Sequence, residues 1–324
     1  MEKQYVVGID MGGTNTTFAI VDARGSIYQR GAIKTGDYET AEAYTDALCN
    51  GVNDLVKDAG LQGSIKGIGM GAPNGNYYRG TIELAANIPW ANKSVVPIAQ
   101  MITDKTGLPC QLTNDANAAA VGEMTYGAAK GMKDFIVITL GTGVGSGVFC
   151  NGQLVCGHDG FAGELGHVNV RRFNGRACGC GATGCLEAYS SATGLVRTAK
   201  EMLELRSEDS ILRSICDRAL TSKDVFDAAE KKDFIAQEIF KYTGNILGEA
   251  FANFIAFSSP EAIILFGGLA RAGSHLLEPM QKSMDENVLS IFKGKTKLLV
   301  SNLNDSEAAI LGASALAWED KSGK

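Results

Sequence analysis

The densest chemistry in the chain is the run Cys178-Gly-Cys180-Gly-Ala-Thr-Gly-Cys185, which begins eleven residues after His167. Three thiolates and one imidazole make a Cys₃His set suited to tetrahedral Zn²⁺. Four protein ligands leave no position for water, so the expected site is structural and not a Lewis acid. The glycines between the cysteines leave little core for them to join, which argues against their being buried bystanders. A metal that fixes His167 also fixes Glu164, three residues earlier, and Glu187, two residues after Cys185. Both carboxylates are then placed to accept hydroxyl groups of a ligand.

A second chemistry lies at Asp10-Met-Gly12-Gly13-Thr14-Asn15. Here a carboxylate ends an apolar run and two residues without side chains follow, so backbone N–H groups can cradle a phosphate while Asp10 orients Mg²⁺. Alone, such a turn reads as a plain hairpin. A second one at Gly141-Thr142-Gly143 favours the phosphate reading, because two turns bracket a polyphosphate. Asn114-Asp115 stands where an apolar run meets a helical one, and Asp115 is the candidate base, since phosphoryl transfer to a hydroxyl needs a positioned carboxylate. An N-cap aspartate is the plainer role. A helix N-terminus keeps the carboxylate ionised, so the two roles are compatible. No Gly-x-x-x-x-Gly-Lys-Ser/Thr run and no protein-kinase signature occurs. Gly179-x-Gly181-x-x-Gly184 fits a dinucleotide pattern, but it follows no strand and opens no helix.

The elements that must position these groups are legible as periodicity. Tyr5–Ile9, Thr16–Val21 and Ser26–Ile33 predict a three-stranded meander. Residues 40–59 carry helical spacing and stop at Gly60. Ile65–Met70 reads as a buried strand, and Leu112-Thr113 as a strand end before a helix through Met124. Asp134–Leu140, the Gly141–Gly143 turn and Gly145–Cys150 repeat the opening pattern, predicting two related subdomains that each offer a turn to one ligand. Phe234–Phe257 predicts a long core helix, Ala262–Phe266 a strand leading to the ligand-facing pair Gly267-Gly268, and Ser306–Trp318 a last helix before a frayed tail, Glu319–Lys324.

At 324 residues the chain is long for one core, so two domains or one large cleft are expected. A net charge of −6 and the absence of basic runs disfavour nucleic acid and anionic membranes as partners. The N-terminal apolar stretch is too short for a signal peptide or a span, which points to a cytoplasmic protein. The eight cysteines are therefore read as thiols or metal ligands. Cys49, Cys110, Cys150, Cys156 and Cys216 are expected to be buried bystanders, and His158 and His275, without partners in sequence, to be surface or loop residues.

With these residues in view the chain resembles the ROK family of sugar kinases and repressors, within the actin-like ATPase superfamily. Asp10-x-Gly-Gly-Thr14 looks like the family's first phosphate motif, Leu140-Gly-Thr-Gly143 its second, and Phe266-Gly-Gly268 its adenosine motif. Glu164-x-Gly-His167 and Cys178-x-Cys-Gly-x-x-Gly-Cys185-Leu-Glu187 look like its sugar and zinc signatures. The resemblance implies an α/β fold of two ribonuclease-H-like lobes with a central cleft: a small lobe from residues 1–117 plus 305–324 and a large lobe from 118–304. It implies ATP, Mg²⁺ and structural Zn²⁺ as cofactors. Asp115 would be the base toward a hexose 6-hydroxyl, with Gly71, Asn87, Asn114, Glu164, His167 and Glu187 binding the sugar. Asp10, Gly12, Gly13, Thr14, Thr142, Gly143, Gly267 and Gly268 would bind the nucleotide.

Where the family often has Pro-Gly, this chain has Pro73-Asn74-Gly75. Glucose is the first expected substrate; fructose, mannose, allose and N-acetylhexosamines are the alternatives. Family habit implies a homodimer or larger homo-oligomer. The competing class is a sugar-responsive repressor, or an inert sensor. Repressors carry a winged helix before these motifs, for which no room is expected ahead of Asp10, and a sensor could dispense with Asp115.

Overall fold

The computed structural model describes residues 4–215 and 218–318. Cys216 and the tail expected at 319–324 lie outside them. Two five-stranded sheets organise the chain. The first contains β1 (Tyr5–Met11), β2 (Asn15–Asp22), β3 (Ile27–Lys34), β4 (Ile65–Gly71) and β5 (Cys110–Thr113), in the order β3-β2-β1-β4-β5. The second contains β6 (Phe135–Leu140), β7 (Val144–Cys150), β8 (Gln153–Leu154), β9 (Ala262–Phe266) and β10 (Lys297–Val300), in the order β8-β7-β6-β9-β10. In both, the first three strands form an antiparallel meander and the last two run parallel to its first strand. The internal echo in the sequence is thus an echo of topology. A short three-stranded sheet, Gly75–Asn76, Thr81–Glu83 and Val95–Val96, fills the connection between β4 and β5.

The helices that build the site are α1 (Ala41–Asp58), α2 (Asp115–Tyr126), α3 (Ala192–Leu205), α4 (Phe234–Ser258), α5 (Ser274–Asn287) and α6 (Asp305–Leu316). Thr40 caps α1 by accepting from the Ala43 N–H, and Gly60 stops it in a left-handed conformation at φ 67°. Tyr44, Leu48, Val52 and Leu55 of α1 form the apolar stripe that covers the first sheet. The strands β1 and β4 are buried on both sides, which explains their continuous apolar runs.

Their other face receives α6. A Cβ at Gly8 of β1 would strike the Ile310 carbonyl oxygen, and one at Gly69 of β4 the Ala313 carbonyl, so only glycine lets the helix close on the sheet. The helix α2 crosses α6 at a second glycine pair, where a Cβ on Gly122 would stand 2.8 Å from the Gly312 Cα. On its opposite side α2 meets the second sheet, with Ala116 2.8 Å from where a Gly145 Cβ would be. Ala120 and Val121 of α2 share one apolar cluster with Phe135, Val137, Ile264 and Leu316. The helix that begins at Asp115 is therefore wedged between the two sheets.

The long helix α4 is buried along most of its length, including Ile239, Phe240, Leu247 and Phe251, and packs closely on α5 at Gly244 and Gly248. No helix among the described residues is long and apolar enough to cross a membrane. Two expectations need correction. Cys49 and Cys156 are buried, but Cys110 is half-buried and Cys150, the last residue of β7 before its turn, is exposed. His275 is not partnerless: it sits on α5 with Nε2 2.7 Å from Glu230 Oε1 and with the rings of Phe226 and Phe240 alongside, whereas His158 is an exposed loop residue as expected.

Candidate active site

Register brings the first half of the site together. Asp10 pairs with Gly71 across β1 and β4, and Gly71 with Thr113 across β4 and β5, so three parallel strands end at one level. Beyond that level lie the Gly12–Thr14 turn, closed by the Gly12 N–H donating to the Asn15 carbonyl at 2.9 Å, and the Asn114-Asp115 junction. Asn87 joins them: a Cβ on Gly13 would stand 3.0 Å from the Asn87 carbonyl oxygen. Asn74 adopts φ 51° and donates its side-chain amide to the carbonyls of Glu83 and Leu84 at 3.0 and 3.2 Å. It takes the left-handed backbone that glycine commonly supplies, so Pro73-Asn74-Gly75 keeps a glycine-like turn.

The second sheet repeats the device. Thr139 pairs with Phe266, so the Gly141–Gly143 turn and Gly267-Gly268 emerge side by side, and a Cβ on Gly267, at φ 101°, would stand 2.7 Å from the Leu140 carbonyl. The start of α3 braces this turn. The Ala192 N–H donates to the Gly141 carbonyl at 2.8 Å, and the Thr193 hydroxyl to the Thr142 carbonyl at 2.9 Å.

At the junction the cap role weighed for Asp115 falls to its neighbour. Asn114 is the cap, accepting from the Asn117 N–H at 2.7 Å. Asp115 is the first helical residue; its carboxylate is exposed and accepts from the Ala116 N–H at 2.9 Å. The Asn114 amide also reaches toward Glu164 Oε1 at 3.4 Å. Partial burial pushes the Glu164 carboxyl up; His167 pulls it down, and Asp115 and Glu187 push it up further. Burial, and then the neighbouring Asp115, raise Asp10 to about 6. Asp10, Asp115, Glu164, His167 and Glu187 thus lie within electrostatic reach of one another in a chain that runs from one sheet to the other.

The loop that carries Glu164 is fastened by Ser146 of β7, whose hydroxyl donates to the Gly163 carbonyl and accepts from the Leu165 N–H. Glu187 opens a helical turn, Glu187–Ser190, and accepts from the Val144 N–H at 3.0 Å, with its other oxygen 3.5 Å from Cys178 Sγ. A residue read from sequence as a sugar ligand therefore also ties the cysteine loop to the second turn. The contact with Val144 has no signature in local sequence, because it joins residues 43 apart in the chain.

His167, Cys178, Cys180 and Cys185 converge as expected, with their ligand atoms all within 4.8 Å of one another. Cys178 Sγ is 3.8 Å from His167 Nδ1, and Cys180 Sγ is 3.7 Å from Cys185 Sγ. Zinc bonds near 2.3 Å to sulfur and 2.1 Å to nitrogen put neighbouring ligands of a tetrahedron roughly 3.5–3.8 Å apart, so this donor set fits a closed four-ligand metal site. His167 turns Nδ1 to the cluster, which leaves Nε2 on the far side of the ring.

The family model for the ROK family matches residues 6–320. The chain belongs to the ROK family. It is 34% identical over 324 residues to a glucokinase of Halalkalibacterium halodurans, covering 99% of this chain and 97% of that one. A crystal structure of a ROK family glucokinase from Streptomyces griseus in complex with glucose and AMPPNP is 32% identical, with a TM-score of 0.77 over 96% of this chain and 98% of that one. A xylose repressor of Bacillus subtilis is 27% identical over 313 residues, spanning 96% of this chain and 76% of the repressor. The paired sheets are those of the actin-like ATPase fold.

Proposed function

We propose that the chain is an ATP-dependent hexose kinase that phosphorylates the 6-hydroxyl of its sugar, glucose before fructose, mannose, allose or N-acetylhexosamines. The observation that carries this reading is the exposed Asp115 carboxylate, held between the two sheets within electrostatic reach of Asp10 on one side and of Glu164 on the other. We assign residues 1–117 with 305–324 to a small lobe and 118–304 to a large one, with the substrates between them.

In this reading Asn87, Asn114, Glu164, His167 and Glu187 hold the sugar hydroxyls, Gly71 leaves room beside them, and Asp115 accepts the proton of the attacking hydroxyl. Backbone amides of the turns at Gly12, Gly13 and Thr14 and at Thr142 and Gly143 surround the transferring phosphate, and Gly267-Gly268 gives the adenosine a surface without side chains. Asp10 fits the Mg²⁺ of the nucleotide, because a divalent cation relieves its repulsion with Asp115. When bound, Mg²⁺ neutralises developing charge on the phosphates. The metal of the Cys₃His site is assigned as zinc, a structural ion that fixes the loop bearing His167 and Glu187.

The likeness to a xylose repressor supports a second reading, sugar sensing without chemistry. Such a sensor needs no carboxylate at position 115, and this chain has one. Product identification separates the two. With ATP and glucose, ADP release should be matched by the reduction of NADP⁺ through glucose-6-phosphate dehydrogenase. ADP release without hexose 6-phosphate would overturn the assignment of the 6-hydroxyl, and no ADP release with any of the hexoses would overturn the kinase reading.

A further inference from the structure

Tyr44 of α1 links two parts of the binding surface proposed for the small lobe. The side chain is fully buried. Its hydroxyl lies 2.8 Å from Thr16 Oγ1, which lies 2.9 Å from Thr35 Oγ1, and both threonines are fully buried. Thr16 follows the Gly12–Thr14 turn by two residues, and the Thr35 N–H donates to the Thr14 carbonyl at 2.9 Å. Three hydroxyls in series thus run from α1 to Thr35, whose backbone N–H holds the carbonyl that ends the turn.

The ring of Tyr44 makes a second connection. Trp90 lies against it, centroids 5.0 Å apart, and Trp90 belongs to the segment 85–91 that carries Asn87. That segment folds on itself through the Ala85 N–H to the Ala91 carbonyl, the Ile88 N–H to the Ala85 carbonyl and the Ala91 N–H to the Ile88 carbonyl. Asn87 in turn rests on Gly13. A ring needed only to fill the core would be served by phenylalanine without a buried hydroxyl to satisfy. Burial also pushes the phenol above its ordinary range, so it remains a neutral hydroxyl at any working pH.

We propose that Tyr44 is a positioning residue that couples the nucleotide and sugar sites. Its hydroxyl, through Thr16 and Thr35, holds the Gly12–Thr14 turn in shape, and its ring, through Trp90, holds the Asn87 segment against that turn. The inference rests on reading Gly12–Thr14 as a phosphate turn.

The two connections separate kinetically. Tyr44→Phe keeps the ring and loses the hydroxyl, so KM for ATP should rise roughly fivefold, about one hydrogen bond, while kcat and KM for glucose stay within about twofold. Trp90→Leu should do the opposite, raising KM for glucose roughly fivefold and leaving KM for ATP nearly unchanged. Thr35→Val breaks the hydroxyl series from its other end and should reproduce the Tyr44→Phe profile if that variant folds poorly. The coupling is overturned if Tyr44→Phe and Thr35→Val leave KM for ATP unchanged, or if every parameter falls together with the folded fraction. Thr14→Ala, run in the same assay, isolates the underlying reading. If it leaves KM for ATP unchanged while Tyr44→Phe raises it, the role of the Thr14 hydroxyl in phosphate binding fails and the coupling stands.

Discussion

Asp10, at the end of β1, and Asp115, just past the end of β5, face the same end of the sheet with β4 between them, and the protein gives up stability to bury Asp10 there. Burial and then Asp115 raise Asp10 from its ordinary value of 3.8 to about 6. A carboxyl raised on folding favours the folded state when protonated. That contribution is complete below the unfolded value near 4 and is lost as pH rises through 6, to a total of roughly 2–3 kcal/mol. In the substrate-free protein Asp10→Asn is therefore expected to raise Tm at pH 7.5, with the gain shrinking between pH 6 and 4, while turnover falls. An equal Tm difference at pH 4 and pH 7.5, followed by thermal unfolding, would show that the carboxyl is not strained as described. The types of these residues were legible in sequence, since an aspartate before Gly-Gly-Thr and one at a strand-to-helix junction announce themselves. Their proximity was not, because it follows from the register of β1, β4 and β5.

Among elements, the loop from His167 to Glu187 depends most on something besides a core. It carries the short 3-10 turn at Leu165–His167, the isolated bridges Asn169 to Cys185 and Ala177 to Thr183 and a few turn bonds such as Gly181 N–H to the Cys178 carbonyl, and Phe173 is 89% exposed. Arg176 anchors it. That buried guanidinium lies over the Tyr189 ring, donates to the Ala188 and Gly194 carbonyls and the Thr198 hydroxyl, and pairs with Glu201. The rest falls to the zinc we propose for the Cys₃His set. Elemental analysis should find one zinc per chain, and chelation should lower Tm by several degrees and expose the loop to proteolysis. A zinc-free protein with unchanged Tm would contradict this account. The cysteine spacing was readable because metal ligation is a local pattern in glycine-rich chain. The bond from Glu187 to the Val144 N–H and the pairing of His275 with Glu230 were not, since long-range polar contacts leave no periodicity.

At the scale of the whole molecule, a strand-turn-strand unit used twice brings two glycine-threonine turns to the sites we propose for ATP and sugar. Each sheet presents a glycine-threonine turn at the carboxyl end of a parallel strand. The helix α2, wedged between the sheets by the close approaches at Gly122, Gly312, Gly145 and Gly147, carries Asp115 to the junction. The repeat was visible in sequence as two short echoes. The wedge was visible only as unexplained glycines, because the atoms that exclude a Cβ belong to helices and strands far along the chain. In the function we propose, Asp115 is the base of the chemistry, and the rate of ADP release with glucose and Mg²⁺·ATP, compared between the wild-type chain and Asp115→Ala, tests it most directly. The account predicts that the variant loses roughly 10²–10⁴-fold in kcat while KM for both substrates changes little. Turnover by Asp115→Ala at the wild-type rate would contradict it.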